Sequence, residues 1–226
     1  MNTHELADIL IRSRHTILEI LEDRGYDTTA YRHIDPSQIV RLSESANGRA
    51  LDIVVPRKAV PDVGKAVAPS DRAVVTYFIH TTIGTRLDGV FLRDLYDIPP
   101  DETGANRVLK TDEVIVLYNE PTRDVFDKAA LNHWKTQKAR VTFFHIKQVV
   151  VHLGRHEGVP PHRKLSEEEK VLLMDEKFLR ERSQLPFIKH SDFQAKLLGL
   201  VPGDIVLILR PSPTAGVAPY WRMCSS

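Results

Sequence analysis

Apolar residues Leu6, Leu10, Ile17 and Leu21 recur at helical spacing near the start of the chain. The pattern predicts an amphipathic helix from Glu5 to Arg24, with Asn2 or Thr3 as its cap and Gly25 as its stop. The period then changes. Short β-branched runs follow at 51–55, 73–79, 113–118, 140–144 and 148–153, several of them separated by helix-length polar segments. These read as strands, and strands alternating with helices make an α/β first domain.

Proline, glycine and polar residues concentrate at 56–72 and 97–110, which marks both stretches as surface loops. A stronger break lies at 154–165, where Gly154, Gly158, Pro160 and Pro161 punctuate the chain. A terminal strand can belong to either side, so the expected domains are residues 1–146 and 147–226. The second is read as a small α+β domain.

Within it, Ser166 and Glu169 stand at capping-box spacing, and Glu167, Glu168 and Glu169 suit the positive end of a helix. Val171, Met174 and Phe178 are expected to form that helix's apolar stripe. An extended piece, SQLPFI, follows, then a short helix capped by Asp192 and ended by Gly199. Pro202 and Gly203 have type II turn chemistry. They lead into Ile205–Leu209, five apolar residues in succession that leave a strand no polar face. A turn at 212–216 closes the chain as a hairpin or small sheet.

A strand apolar on both sides in a region of roughly 80 residues needs a cover. The expectation is its own small sheet on one face and a partner protein on the other, with Leu207 buried by one of them.

Composition narrows the function. The 226 residues carry 31 Lys/Arg against 30 Asp/Glu, a net charge of +1 that gives no overall pull toward nucleic acid or an anionic membrane. Residues 147–226 hold 12 Lys/Arg and 9 Asp/Glu, so the second part is the mildly basic one. A single cysteine, Cys224, excludes an internal disulfide framework and a Cys-based zinc cluster. No run reaches a membrane span and the N-terminus lacks the order of a secretory signal, so a cytosolic or nuclear protein without membrane contact is expected.

Catalytic motifs are missing. His152 and His156 are four apart, but they lie across a Gly-rich turn with no intervening H-E-x-x-H glutamate, so they are read as solvated or structural. The PDVGK stretch lacks the remainder of a phosphate loop, and neither G-x-S-x-G nor G-x-G-x-x-G occurs. A metal-dependent nuclease typically carries an [Asp/Glu]-x-Lys triplet, and residues 1–146 contain none. No metal, cofactor or catalytic residue is expected.

Arg123, Lys128, Lys135, Lys138 and Arg140 gather around Trp134 after Pro121, with Thr122 or Asn119 as candidate cap. One reading is a helix tip that approaches phosphate. The other is a solvated charged helix whose tryptophan packs into the core.

The segments GVPPHRKLSEEEK (158–170), SQLPFIKHSDFQAKLLGLVPGDIVLILRPSPTAG (183–216) and YWRM (220–223) carry a family resemblance. They resemble the assembly domain of the fifth subunit shared by nuclear RNA polymerases I, II and III, and its smaller archaeal RNA polymerase counterpart. ILEDRGY (20–26) and the order of elements up to the assembly domain are similar, less strongly, to the jaw domain of the eukaryotic subunit, a nuclease-like mixed sheet with helices.

The resemblance implies a noncatalytic, nuclear subunit that docks on the largest polymerase subunit, with its jaw near downstream duplex DNA and only weak, sequence-independent DNA contact. No homo-oligomer is implied. The positions matching the family's pattern, and so implied at the partner interface, are Val159, Pro160, His162, Gln184, Leu185, Pro186, Ile188, Gly199, Gly203, Val206, Arg210, Thr214, Gly216, Tyr220 and Arg222. Pro121, Thr122 and Arg123 correspond loosely to the loop beside DNA.

The chain departs from the pattern at Phe187, Phe193, Leu207, Pro211, Pro213 and Val217. The alternatives are a free-standing transcription or interaction factor reusing the fold, and a degenerate nuclease-like enzyme.

Overall fold

A computed structural model describes residues 3–59, 70–87, 90–97 and 108–226. Two compact units divide between residues 151 and 152.

The first unit contains α1 (Thr3–Asp23), α2 (Pro36–Glu44), β1 (Ile53–Pro56), β2 (Arg72–Phe78), α3 (Val90–Asp97), β3 (Glu113–Tyr118), α4 (Asp124–Gln137) and β4 (Arg140–His145). Its strands form one sheet in the order β1-β2-β3-β4. β1 runs antiparallel to β2, while β2, β3 and β4 are parallel. Parallel neighbours require a crossover, which α3 and α4 provide.

Alternate residues Val74, Val114, Val116, Tyr118, Val141 and Phe143 join Phe91, Leu92 and Leu95 of α3 and Phe126 and Ala130 of α4 in one core. The opposite positions Ala73, Val75, Tyr77, Ile115, Leu117 and Phe144 are also buried. A sheet buried on both faces reads as continuous apolar runs, which is why 73–79 and 113–118 show no polar alternation.

Gly25 ends α1 with φ 95, its N–H bonding Glu22 O and the Tyr26 N–H bonding Leu21 O. This is the paired bonding of a left-handed helix stop. Thr3 lies inside the helix, and Asn2 lies outside the described residues. Beyond the stop, Arg24 Nη1 donates to Glu113 Oε1 at 2.8 Å and the Tyr26 hydroxyl donates to Glu113 Oε2 at 2.6 Å. All three groups are buried, so the chain after α1 is tied to the first residue of β3.

The run at 148–153 is not a strand. His145 and Gln148 form a reciprocal cap that winds Ile146–Val149 into a 3-10 turn, and a second such turn spans Leu153–Arg155.

The second unit contains β5 (His162–Lys164), α5 (Glu167–Glu176), β6 (Phe187–Lys189), α6 (Phe193–Leu197), β7 (Ile205–Ser212) and β8 (Gly216–Ser225). The sheet order is β5-β7-β8-β6, with β6 parallel to β8 and the other pairs antiparallel. The β7–β8 hairpin matches the sequence expectation. Gly203, with φ 94, supplies the turn into β7, and the Asp204 N–H closes it on Val201 O.

Both faces of β7 are covered within this unit. Val206 and Ile208 pack with Ile188, Ala195, Leu200 and Cys224. Ile205 packs with Leu165, Leu173 and Leu185, and Leu207 packs against that cluster. The expected reliance on a partner for one face of this strand is therefore corrected. An α5 cover and an α6 cover make a three-layer unit that the apolar run alone did not reveal.

The expected apolar stripe of α5 is also corrected. Val171 is 59% exposed and Phe178 91%, whereas Lys170 and Leu173 are the buried positions. Ion pairs set this rotation: Lys170 Nζ lies 2.9 Å from Asp204 Oδ1 and 2.6 Å from Glu167 Oε1. A second lysine, Lys164, reaches Asp204 Oδ2 at 2.7 Å. Burial raises the Asp204 pKa, but the two ammonium groups and the Val201 N–H outweigh it and hold the carboxyl below its ordinary range.

Among the described residues, no helix is long and apolar enough to cross a membrane.

Candidate functional site

Four matched positions converge on one face of the second unit. His162 of β5 stands opposite Ile208 of β7, which in turn stands opposite Tyr220 of β8. Arg210 and Arg222 lie two residues further along their strands, and side chains two apart share a sheet face. The Arg210 guanidinium sits 4.2 Å from the centre of the Tyr220 ring and the Arg222 guanidinium 5.5 Å. A cation over an aromatic face is held there without a counter-charge.

Arg222 Nη1 donates to Phe187 O at 3.1 Å, while its buried Nε has no hydrogen-bond partner. Burial lowers the His162 pKa, with Arg210 and Arg222 adding to the effect against its contact with Pro160 O and the charge of Asp192. The imidazole is thus held neutral at pH 7, and the patch carries the two arginine charges. Such a surface suits a carboxylate on a partner protein.

The remaining matched positions divide by burial. Leu185, Ile188 and Val206 are buried in the unit's own cores, so they shape the surface from beneath. Gly199 ends α6 with φ 60, its N–H bonding Lys196 O while the Leu200 N–H bonds Ala195 O. Gly216 turns the hairpin with φ 68, and Thr214 and Ser212 face each other across the turn at 3.4 Å. Gln184 folds back, its Oε1 accepting from the Arg180 N–H at 2.7 Å and the Glu181 N–H at 3.2 Å. Val159 and Pro160 are half-buried and Pro186 is exposed.

Sequence reasoning did not single out the exposed Val171, Leu172, Phe178 and Phe187 as surface. Phe178 is also unusual in its backbone, with φ 51 at the end of α5. Bulky residues rarely enter the left-handed region, and no pattern in the sequence announces it.

In the first unit, Pro121, Thr122 and Arg123 are exposed between β3 and α4. Neither Thr122 nor Asn119 caps the helix. Arg123 occupies the cap position with no side-chain hydrogen bond, and Asp124 and Asp127 fill the first turn. Those carboxylates occupy the positive end of the helix dipole and work against phosphate there. Glu120 accepts from the N–H groups of Ile83 and Gly84, both at 2.8 Å, which fixes the base of the segment.

The basic run around Trp134 is not one surface. Arg123 lies at the start of α4, whereas Lys138 and Arg140 flank Trp134 at its far end. Trp134 itself is half-buried, between the two readings of the sequence. Among the described residues, no group of three or more His, Cys, Asp or Glu side chains is placed to hold a metal.

Comparison with known proteins matches residues 151–224 to the family described as RNA polymerase Rpb5, C-terminal domain. A Dictyostelium discoideum protein named DNA-directed RNA polymerases I, II, and III subunit rpabc1 is 30% identical over 217 residues, covering 95% of this chain and 96% of the relative. The DNA-directed RNA polymerase subunit Rpo5 of Pyrococcus abyssi is 55% identical over 69 residues, 30% of this chain and 83% of that protein. The Rpo5 of Methanosarcina acetivorans is 47% identical over 68 residues, with 86% of its length covered. Likeness thus extends along the full length to a eukaryotic relative and is concentrated in the second unit for archaeal ones. This chain belongs to the Rpb5 family of DNA-directed RNA polymerase subunits.

Proposed function

We propose that this protein is a noncatalytic subunit of a nuclear, multisubunit RNA polymerase, without an active site of its own. Residues 147–226 act as the assembly domain and dock on the largest subunit. Residues 1–146 act as a jaw with a nuclease-like mixed sheet, near downstream DNA. The observation that carries this reading is the full-length similarity to a subunit named for polymerases I, II and III.

The surface of the second unit supports docking. Arg210 and Arg222 on Tyr220 form a cationic recognition patch, and Val171, Leu172, Phe178 and Phe187 are apolar side chains that a partner would cover. At the jaw, Arg123 is the cation of the segment proposed to lie near DNA, with Pro121 and Thr122 beside it. One cation next to Asp124 and Asp127 supports only weak, salt-sensitive contact.

Affinity purification of the tagged protein is expected to return the large polymerase subunits in near-equal amount. Recovery as a monomer without them would sink the proposal and favour a free-standing factor. Arg210→Glu should reduce that recovery, and undiminished recovery would remove the patch from the docking surface. Arg123→Glu should leave assembly intact while weakening low-salt crosslinking to downstream DNA. The purified protein is expected not to cleave DNA with added magnesium or manganese, and metal-dependent cleavage would revive the nuclease-like alternative.

A further inference from the structure

The first unit has a groove at the end of its sheet where β2, β3 and β4 begin. It encloses about 810 Å³ and is lined by Arg57, Arg72, Lys110, Trp134, Lys138 and Arg140, together with Asp71, Asp112 and Leu109. That volume falls in the range of small-ligand pockets. The segment at Pro121–Arg123 follows the opposite end of β3. Six residues of strand separate the two ends by roughly 20 Å. The groove is therefore a second surface, distinct from the one proposed to lie near DNA.

Its charges come from separate parts of the chain. Arg57 follows β1, Arg72 opens β2, Lys110 precedes β3, Lys138 follows α4 and Arg140 opens β4. Five cations thus face two carboxylates. Arg72 binds Asp112 through two contacts, 3.1 Å from Nε to Oδ1 and 2.6 Å from Nη2 to Oδ2. Asp112 Oδ2 also accepts from the Leu109 N–H at 2.7 Å, so the carboxylate at the base is neutralised by its neighbours. Arg57, Lys110 and Lys138 then face Asp71, the other carboxylate of the lining.

Trp134 decides which anion fits. Lys138 Nζ lies 5.3 Å and the Arg140 guanidinium 5.0 Å from its ring centre. The indole is half-buried and already stacks with two cations, which makes it a poorer platform for a base, on which single-stranded nucleic-acid sites depend. Asp71 would oppose an unbroken phosphate backbone, whereas spaced carboxylates can avoid it. Leu109, 44% exposed, adds an apolar spot to the wall. We propose that this groove binds an acidic segment of a partner protein, its carboxylates reaching Lys110 and Arg57 beside Lys138 on the Trp134 ring. This inference is independent of the polymerase reading.

The test uses the full-length protein and a fluorescein-labelled peptide of alternating Glu and Ser with one Leu, followed by anisotropy at low salt. Binding should weaken at least tenfold in the Lys110→Glu, Lys138→Glu double variant. Both residues are exposed, so the double variant should stay folded, its thermal midpoint lowered only slightly by loss of the Lys138–Trp134 contact. Gln137→Lys, which adds a cation to the same wall, should tighten binding. A peptide with Lys in place of Glu should prefer the double variant, and Lys189→Glu in the other unit should change nothing. No binding by the wild type would overturn the proposal, as would an affinity indifferent to these charges. Tighter binding of a single-stranded oligonucleotide at the same residues would replace the peptide with nucleic acid.

Discussion

Asp52 shows how one residue's surroundings set its chemistry. Its carboxylate accepts from the Tyr77 N–H at 3.0 Å and from Arg49 Nε at 2.9 Å, yet it is buried. Burial dominates and pushes its pKa up to about 6 from 3.8. A carboxyl whose folded pKa exceeds its unfolded value binds its proton more tightly when folded. Its contribution to stability is complete below the unfolded pKa and lost as pH rises through about 6. Between pH 4 and 6.5 the wild type should therefore lose roughly 2–3 kcal/mol relative to Asp52→Asn. Urea unfolding of both proteins across that window checks the prediction, and a constant difference would refute it. Asp204 has the opposite sign: two lysines hold its pKa down, so its stabilisation is lost at the acid end.

At the scale of elements, β7 is instructive. Its five apolar residues correctly announced a strand without a polar face, but not what lay over each side. Val206 and Ile208 face the α6 side, while Ile205 and the half-buried Leu207 face the α5 side. Ile208→Asp should thus destabilise the second unit by about 3–5 kcal/mol, since it buries an unpaired charge. Loss of polymerase recovery in that variant would report unfolding, not a lost surface contact, and the same holds for Leu185→Asp. Leu207→Lys should cost far less because the long side chain can carry its ammonium out to water. Chemical denaturation of the three proteins distinguishes these outcomes, and equal costs at 207 and 208 would contradict the burial difference.

Cap residues were the most legible local features. Ser166–Glu169 forms both bonds of its capping box, with 3.2 Å from Glu169 N to Ser166 Oγ and 2.9 Å from Ser166 N to Glu169 Oε2. Asp192 accepts from the Gln194 N–H, and Gly25 and Gly199 end their helices. These signals are readable because each is satisfied within a few residues. The α4 cap failed because a polar residue near a helix start is not obliged to turn toward it.

At the scale of the molecule, each unit has a sheet with its own core. The Pyrococcus abyssi relative matches residues of the second unit over 83% of its own length, so that unit corresponds to most of an independent chain. A fragment of residues 152–226 is expected to unfold cooperatively, with a midpoint close to one transition of the full-length protein. A fragment lacking a cooperative transition would show that the second unit depends on the first.

Periodicity and turn chemistry are local, so the order of residues was enough to define the strands of the first sheet, the helix ends at Gly25, Ser166, Asp192 and Gly199, the closing hairpin and the family pattern. A local cap, His145 with Gln148, begins the 3-10 turns that stand in place of a strand at 148–153, whereas long-range packing selected which face of α5 is buried, through Lys170 and Asp204. It also gathered His162, Arg210, Tyr220 and Arg222 into one patch, and brought Arg57, Arg72, Lys110, Lys138 and Arg140 around Trp134. Along the chain those cations are spread over tens of residues, and strand pairing with crossover helices is what brings charges so distant into a common field.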